Sequence, residues 1–306
     1  VINICVISAK TNLSTLVEAV EDINKQLESV RLGLSLFYTH ILDEAGEEQR
    51  QSLYKALEKS DIILIDVRTP FSWLVKEIGK HIGKARVVVP LVGGSPDILG
   101  LLKLGEFRAG FLGKAFRELD MDVEYVDMSR VFKIIDLTDK AAKILPLGPL
   151  KHLRNWILCT RYWSLNGKEN LKNMLLLLLN NYFGLNLTYE EPRQEIQSYR
   201  VWNPLRDSFT ELGEYMRQLD SSKPTVLVLM YSGMHFYDCK PVAKTLFNEL
   251  TKRGVNAVLL TGAASNDLIN QGKGLLKLFK DTNARFDLLV NLQWFFINGG
   301  PYGGPH

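Results

Sequence analysis

Short, almost wholly apolar segments alternate with amphipathic segments between residues 1 and 95, and this alternation constrains the fold most. Ile2–Ile7 is rich in β-branched residues, as is typical of a strand buried on both faces of a sheet. Asn12–Val30 then places apolar residues at the three- and four-residue spacing of a helix. The pattern predicts a parallel sheet covered by helices on both faces, with right-handed crossovers. Further predicted strands are Leu34–Tyr38, Asp61–Val67 and Arg86–Val92, and further predicted helices are Glu47–Lys59 and one after Pro70.

A second region of the same type follows a helical one. Strand signals are weak from Gly105 to Tyr182, where Asn166 and Glu169 predict a capping box at the start of a leucine-rich helix that Gly184 ends. The predicted strands of the second lobe are Thr225–Met230, Val255–Leu260 and Phe286–Val290. One predicted helix is Leu268–Phe279, and another is capped by Asp238 and ends at Gly254. The residues of this second helix that we expect to face inward are Val242, Leu246, Phe247 and Leu250.

The predicted architecture is α/β, with two Rossmann-like or flavodoxin-like parallel-sheet lobes and a helical segment between them. The first lobe takes residues 1–104 and the helical segment residues 105–184. A polar, irregular connector with two prolines takes residues 185–223, and the second lobe takes residues 224–306. Because the chain starts at Val1 and ends within a glycine-rich turn, we expect it to be cut from a longer protein and the second lobe to be incomplete.

Charge and composition exclude several classes of protein. The 37 Lys and Arg residues nearly balance the 34 Asp and Glu residues and form no basic stripe, so we expect no nucleic-acid partner. No apolar run is long enough for a membrane span, and no signal peptide precedes the first strand, which predicts a cytoplasmic protein. The three dispersed cysteines (Cys5, Cys159 and Cys239) predict reduced thiols.

The candidate binding residues follow predicted strands. Ligands of open α/β sheets lie outside the carboxyl ends of the strands, which selects the loops at Ser8–Lys10, Arg68–Pro70, Gly93–Ser95 and Tyr231–Asp238. The last loop is the richest in chemistry, although His235 and Asp238 also fit a surface histidine and a helix cap. Glycines in the end segment suit either a ligand or a plain turn. The predicted substrate-binding residues are Arg68, Tyr231, Ser232, His235, Asp238, Asn298, Gly299 and Gly300.

Nucleotide and metal motifs are missing from the sequence. Gly113-Lys114 lacks the first glycine and the hydroxyl residue of a phosphate-binding loop, and no Gly-x-Gly-x-x-Gly follows the first strand. The five histidines are scattered without a metal-binding spacing, so we predict no protein metal site. His235 could still ligate a metal that a macrocycle holds. We assign no catalytic residue.

One stretch resembles a known family. The cluster Arg161-Tyr162-Trp163, Gly167 and Glu169-Asn170 opens the leucine-rich helix. It resembles the large subunit shared by aerobic-type cobaltochelatase and magnesium chelatase, the CobN/ChlH type. In that family a proline-containing connector and a second α/β lobe follow and lead to a Gly-Gly-Pro loop, here Asn298–Pro301. This chain has Trp202-Asn203-Pro204 where the family often has Tyr-His-Pro, and Ser232 where it often has Arg.

The resemblance implies a tetrapyrrole-binding subunit of an ATP-dependent metal chelatase. Its substrates would be the tetrapyrrole and Co²⁺ or Mg²⁺, and the motifs favour Co²⁺ insertion into a corrin-ring precursor during cobalamin biosynthesis. Magnesium insertion into protoporphyrin is the alternative. The resemblance also implies two partner subunits, an AAA+ ATPase subunit and a subunit with an adhesion-type domain. These partners, and not this chain, would bind and hydrolyse ATP. It implies that the catalytic residues lie outside this fragment, which would be inactive alone.

Two other functions fit the two-lobed pattern. One is a small-molecule binding module with its ligand between the lobes. The other is a group-transfer enzyme such as a nucleotide-sugar glycosyltransferase, whose donor contacts would lie beyond the last residue of the chain.

Overall fold

The computed structural model describes residues 1–10, 12–67, 72–91, 96–108, 149–193, 196–263, 270–293 and 297. The chain divides into two compact units, Val1–Arg193 and Gln194–His306. Both units are α/β, and their sheets consist mostly of parallel strands, so the predicted fold class is confirmed.

The first unit is built on a six-stranded sheet in the order β2-β1-β3-β4-β5-β6. Strands β1 to β4 run parallel, as predicted, whereas β5 and β6 form an antiparallel hairpin at one edge that extends past residue 104. The strands are β1 Ile2–Ser8, β2 Leu32–Tyr38, β3 Ile62–Asp66, β4 Val87–Pro90, β5 Lys103–Leu104 and β6 Phe107–Arg108. The helices are α1 Ser14–Gln26, α2 Thr39–Asp43, α3 Glu47–Lys59, α4 Ser72–His81, α5 Pro96–Leu99, α6 Pro149–Leu165 and α7 Lys168–Phe183.

Apolar side chains on both faces of this sheet make it the middle of three layers. Ile4 and Val6 of β1 pack with α1 and the α6–α7 pair, whereas Cys5 and Ile7 pack with α3 and α4 on the other face. Since successive side chains of a strand point to opposite faces, one continuous apolar run serves both layers.

The start of α7 differs from the prediction. Asn166 and Gly167 both have left-handed backbone conformations, with φ of +56° and +88°, so the helix begins one residue later, at Lys168. No side chain caps α7, and the predicted capping box is therefore wrong. Asn166 instead accepts a hydrogen bond from Thr15 Oγ1 of α1 at 3.2 Å. Gly184 ends α7 in the left-handed conformation, as predicted.

The second unit is built on a five-stranded sheet in the order β11-β9-β10-β7-β8. Strands β9, β10 and β11 are parallel, and the antiparallel hairpin β7–β8 pairs with β10. The strands are β7 Arg200–Asn203, β8 Ser208–Glu211, β9 Thr225–Met230, β10 Asn256–Thr261 and β11 Leu288–Asn291, and the helices are α8 Leu212–Met216, α9 Phe236–Lys252 and α10 Gln271–Thr282.

Two details of this unit differ from the sequence prediction. The segment predicted as an irregular connector contributes β7 and β8, because Trp202 and Val201 bury their side chains on opposite faces of the sheet. Val242 was predicted to face inward but is 54% exposed. The buried side of α9 instead passes through Phe236, Cys239, Ala243 and Phe247, which follow a three- to four-residue spacing.

The three cysteines are free, as predicted, and all three are buried. Burial raises the pKa of the Cys5 thiol to about 12 and that of Cys239 to about 11. No helix in the described part of the chain is long and apolar enough to cross a membrane.

Candidate functional site

The strand order of the second sheet places its topological switch point between the carboxyl ends of β9 and β11. The chain runs from β9 through α9 to β10 on one side of β9, and then through α10 to β11 on the other side. The apolar side of α9 packs on one face of the sheet and that of α10 on the opposite face. Connections that leave in opposite directions open a crevice at the carboxyl edge, where open α/β sheets bind ligands. The predicted loop Tyr231–Asp238 begins at this point.

Local geometry brings the imidazole and carboxylate of this loop together. Gly233 adopts a left-handed conformation (φ +67°), which turns the chain into a short 3₁₀ helix and then into α9. Asp238 was predicted to cap the helix, but α9 begins at Phe236 with His235 at the N-cap position. Asp238 therefore lies in the first turn, where a negative charge is favourable, and faces back toward His235.

His235 and Asp238 form a buried pair. His235 Nδ1 lies 3.1 Å from Asp238 Oδ2, and the two side chains are 11% and 9% exposed. Because a carboxylate only accepts hydrogen bonds, His235 Nδ1 is the donor in this contact. Asp238 Oδ1 is also buried, and it accepts no hydrogen bond from the described residues. The pair therefore offers an oriented imidazole backed by a carboxylate.

The two remaining described residues of the predicted site support the loop. The ring of Tyr231 is buried beside His235, with ring centroids 5.1 Å apart. Ser232 is 2% exposed, and its Oγ donates a hydrogen bond to the backbone oxygen of Ala263 at 2.7 Å. The structure thus brings Tyr231, Ser232, His235 and Asp238 together. The predicted residues Arg68, Asn298, Gly299 and Gly300 lie outside the described residues.

The β7–β8 hairpin, which sequence reasoning did not find, packs against the start of α9. The indole of Trp202 meets the ring of Phe236 edge-on at 5.5 Å and donates a hydrogen bond to Asp207 at 2.8 Å. Lys240 of α9 pairs with Asp207 at 2.9 Å. Burial alone would raise the pKa of Asp207, but the hydrogen bonds from Lys240 and Trp202 outweigh it and hold the pKa below its usual range. These contacts fix the helix turn next to His235.

Two buried glutamines behind the loop were also missed. Gln271 begins α10 and is fully buried, and Gln293 follows β11 and is 7% exposed. Their side-chain amides bond to each other and to the ends of the parallel strands. Isolated glutamines 22 residues apart make no sequence motif, so only the fold could reveal the pair.

At the corresponding edge of the first sheet, described side chains tie α6 to the strand ends. Trp163 of α6 donates its indole hydrogen to Asp66 Oδ2 at the end of β3, at 2.9 Å. Lys10 donates to the backbone oxygen of Trp163 at 3.0 Å, and its ammonium lies 4.1 Å from the centre of the indole ring. Ser8 lies 3.4 Å from the same carboxylate oxygen, and all four residues are buried. The predicted loop Ser8–Lys10 therefore anchors α6 on the sheet.

No group of three or more His, Cys, Asp or Glu side chains able to hold a metal ion occurs among the described residues. The His235–Asp238 pair, at the carboxyl end of β9, is a grouping of two such side chains.

Comparisons with known proteins match this chain to chelatases. Residues 160–306 match the family model described as CobN/Magnesium Chelatase. The chain is 23% identical over 275 residues to a magnesium-chelatase subunit of Chlorobaculum parvum, an alignment that covers 84% of this chain and 21% of that protein. The chain thus spans about a fifth of the length of this curated relative.

Two solved structures are more distant. The catalytic subunit of cobaltochelatase from Mycobacterium tuberculosis aligns with 94% of this chain and 18% of its own, at 12% identity and a TM-score of 0.45. A variant of a metal-free periplasmic metal binding protein from Candidatus Liberibacter asiaticus aligns with 99% of this chain and 92% of its own, at 10% identity and a TM-score of 0.21. Both TM-scores are below 0.5, so we draw no structural or functional conclusion from either alignment.

The family model covers the end of α6, α7 and the whole second unit, including the Tyr231–Asp238 loop and the Trp163 motif that suggested the resemblance. Residues 160–306 of this chain are therefore similar to the CobN/magnesium chelatase family.

Proposed function

We propose that this chain contributes to the tetrapyrrole-binding surface of a metal-chelatase large subunit, and that the carboxyl edge of β9 faces the macrocycle. The His235–Asp238 pair carries the proposal, because it places an oriented imidazole at the crevice of the second sheet. The match of residues 160–306 to the chelatase family model supports a tetrapyrrole as the ligand.

The pair suits the chemistry of metal insertion. A metal ion replaces two pyrrole N–H protons, so insertion needs a base near the ring nitrogens and a path for those protons. With its Nδ1 hydrogen donated to Asp238, His235 would use Nε2 as the base or as a ligand of the substrate metal. Asp238 fixes the ring orientation and stabilises the imidazolium that forms when Nε2 takes a proton. Because both side chains are about nine-tenths buried, water screens this attraction weakly.

Two metals are candidates for the substrate ion. The Tyr-Trp and Glu-Asn motif favours Co²⁺ insertion into a corrin-ring precursor of cobalamin. The name of the curated relative, which is a magnesium-chelatase subunit, favours Mg²⁺ insertion into protoporphyrin.

We further propose that an AAA+ ATPase subunit and an adhesion-type-domain subunit supply ATP hydrolysis. In this proposal the assembled enzyme is cytoplasmic, and this chain alone is inactive.

A titration tests the proposal. A metal-free porphyrin and a metal-free corrin-ring precursor are each added to the 306-residue chain, while tryptophan fluorescence and the macrocycle absorbance band are followed. We expect saturable binding in the micromolar range. His235→Ala should weaken binding about tenfold, which corresponds to about 1.4 kcal/mol, the size of one hydrogen bond or ligand contact.

Two variants sharpen the result. Asp238→Asn preserves shape but removes the charge, so it should weaken binding less than His235→Ala. His40→Ala changes an exposed histidine of the first unit and should leave binding unchanged. Binding of neither macrocycle by the wild-type chain, or equal binding by His235→Ala, would overturn the assignment of this edge. Tighter binding of the corrin-ring precursor would favour Co²⁺ as the substrate ion, and tighter binding of the porphyrin would favour Mg²⁺.

A further inference from the structure

Two buried side-chain amides form a reciprocal pair beneath the candidate site. Gln271 Nε2 donates to Gln293 Oε1 at 2.6 Å, and Gln293 Nε2 donates back to Gln271 Oε1 at 3.1 Å. One residue opens α10 and the other follows β11, so the pair joins two segments that are distant in the sequence. A buried, doubly bonded amide pair is rigid, since neither side chain can rotate without leaving polar atoms unsatisfied.

Further hydrogen bonds extend this pair into a closed ring across three strand ends. Gln271 Oε1 accepts from the backbone nitrogen of Ala263, just past β10, at 2.8 Å. Gln293 Nε2 donates to the backbone oxygen of Met230, the last residue of β9, at 3.1 Å. Ser232 closes the ring through its 2.7 Å bond to the oxygen of Ala263. We call these five residues the amide ring: Met230, Ser232, Ala263, Gln271 and Gln293.

All four side-chain amide hydrogens of the two glutamines are used. Gln271 gives one to its partner and one to the backbone oxygen of Ile297 at 3.3 Å. Gln293 gives one to its partner and one to the end of β9. No amide hydrogen of the pair is left to bind a ligand, so its chemistry fits the holding of backbone rather than the binding of substrate.

Close packing keeps the pair in register. Gly262 lies directly behind it, and a Cβ at this position would approach Gln271 Oε1 and Gln293 Nε2 to less than 3.0 Å. The nitrogen of Gly262 also donates to the oxygen of Met230 at 2.8 Å, so the ends of β9 and β10 are joined directly as well.

We propose that Gln271 and Gln293 are positioning residues, which hold the Tyr231–Asp238 loop in one place relative to the ends of β10 and β11. His235 lies only three residues after Ser232, so a shift of the amide ring moves the imidazole with it. The consequence for tetrapyrrole binding rests on the proposed function, whereas the mechanical coupling of the loops does not.

Hydrogen exchange tests the coupling without any ligand. Gln271→Met keeps the length of the side chain but removes its hydrogen bonds, and Gln271 makes no hydrogen bond to residues 231–238 in the described structure. We expect amides of residues 231–238 to exchange about tenfold faster in this variant. The control is Gln218→Met, at an exposed position of the same unit, which should leave exchange unchanged. Faster exchange confined to residues 262–273 would refute the coupling.

Titration with the macrocycle that binds the wild-type chain tests the consequence for the site. In Gln271→Met we expect affinity to fall about three- to tenfold, with a displaced absorbance band of the bound macrocycle at saturation. A purely structural loss would reduce the folded fraction but leave the band of the bound macrocycle in place. Unchanged affinity and an unchanged band would overturn the positioning role.

The two proposals fail in different ways. Absence of tetrapyrrole binding by the wild-type chain contradicts the proposed function, while exchange at residues 231–238 still decides the coupling. Wild-type binding that Gln271→Met does not alter contradicts the positioning role and leaves the proposed function in place.

Discussion

Substituting Gly262 with alanine places a methyl group where the second unit has no space for one. The added Cβ would lie under 3.0 Å from Gln271 Oε1 and Gln293 Nε2, and 3.1 Å from the backbone oxygen of Met230. The backbone at Gly262 is not left-handed, so the effect is steric rather than conformational. Both neighbouring side chains are buried and bonded to each other, which leaves neither a free direction in which to move.

The size of the effect follows from the hydrogen bonds that must break. Separation of the pair leaves two or more buried polar groups unsatisfied, at about 1–3 kcal/mol each. The gain from a less flexible unfolded chain on replacing glycine is about 0.4–1 kcal/mol. The expected net loss in the free energy of unfolding of the second unit is therefore about 1–5 kcal/mol.

Hydrogen exchange of the β10 amides measures this loss for the second unit alone, because a chain of two units does not unfold as one cooperative block. Exchange of residues 257–260 should become about fivefold faster or more, since each 1.4 kcal/mol corresponds to a factor of about ten. Gly213→Ala is the matched control: its Cβ would meet Thr282 Cγ2 at 3.5 Å, an ordinary contact. If the two variants exchange at similar rates, the steric reasoning is wrong.

Two further predictions concern other parts of the chain. Trp163→Phe removes the 2.9 Å hydrogen bond to the fully buried Asp66 and should destabilise the first unit by about 2–3 kcal/mol. Hydrogen exchange of the β1 and β3 amides measures this loss. A loss under about 0.5 kcal/mol would contradict an anchoring role for Trp163. The pKa of Asp207 is lowered in the folded state, so its negative charge stabilises the fold at pH values above 3.8, the ordinary pKa. This contribution disappears as the pH falls through the folded-state pKa. The urea midpoint of the second unit, followed through exchange of its β10 amides, should therefore be lower in Asp207→Asn than in the wild-type chain at pH 7. The two midpoints should converge in acid, and a constant difference across this range would refute the linkage.

Local sequence patterns determined the parallel strands and most helices. Strands such as β1, β3 and β9 are continuous apolar runs, and helices such as α1 and α3 repeat apolar residues every three or four positions, so each is specified by near neighbours in the chain. The loop Tyr231–Asp238 was also predictable, because the carboxyl end of a parallel strand is where α/β sheets bind ligands.

Local sequence patterns predicted the structure less well where packing between distant segments determines it. The β7 and β8 strands are four residues each, and their apolar residues become informative only once Trp202 packs on Phe236 of a distant helix. Val242 follows an acceptable helical spacing, yet the position of the sheet selects the side of α9 that includes Ala243. The start of α7 was misplaced because two left-handed residues precede it, and Asn166 bonds to Thr15 of another helix.

The sequence by itself therefore determined the α/β class, the predicted loop and the family resemblance. Only the tertiary structure decided what the side chains of those segments do. Trp163, part of the resemblance motif, anchors α6 on the first sheet through Asp66, a residue 97 positions away. Gln271 and Gln293 meet only because α10 and β11 bring them to the end of β9. Apolar periodicity is repeated over many adjacent residues, whereas a buried polar contact depends on single residues that the folded chain brings together.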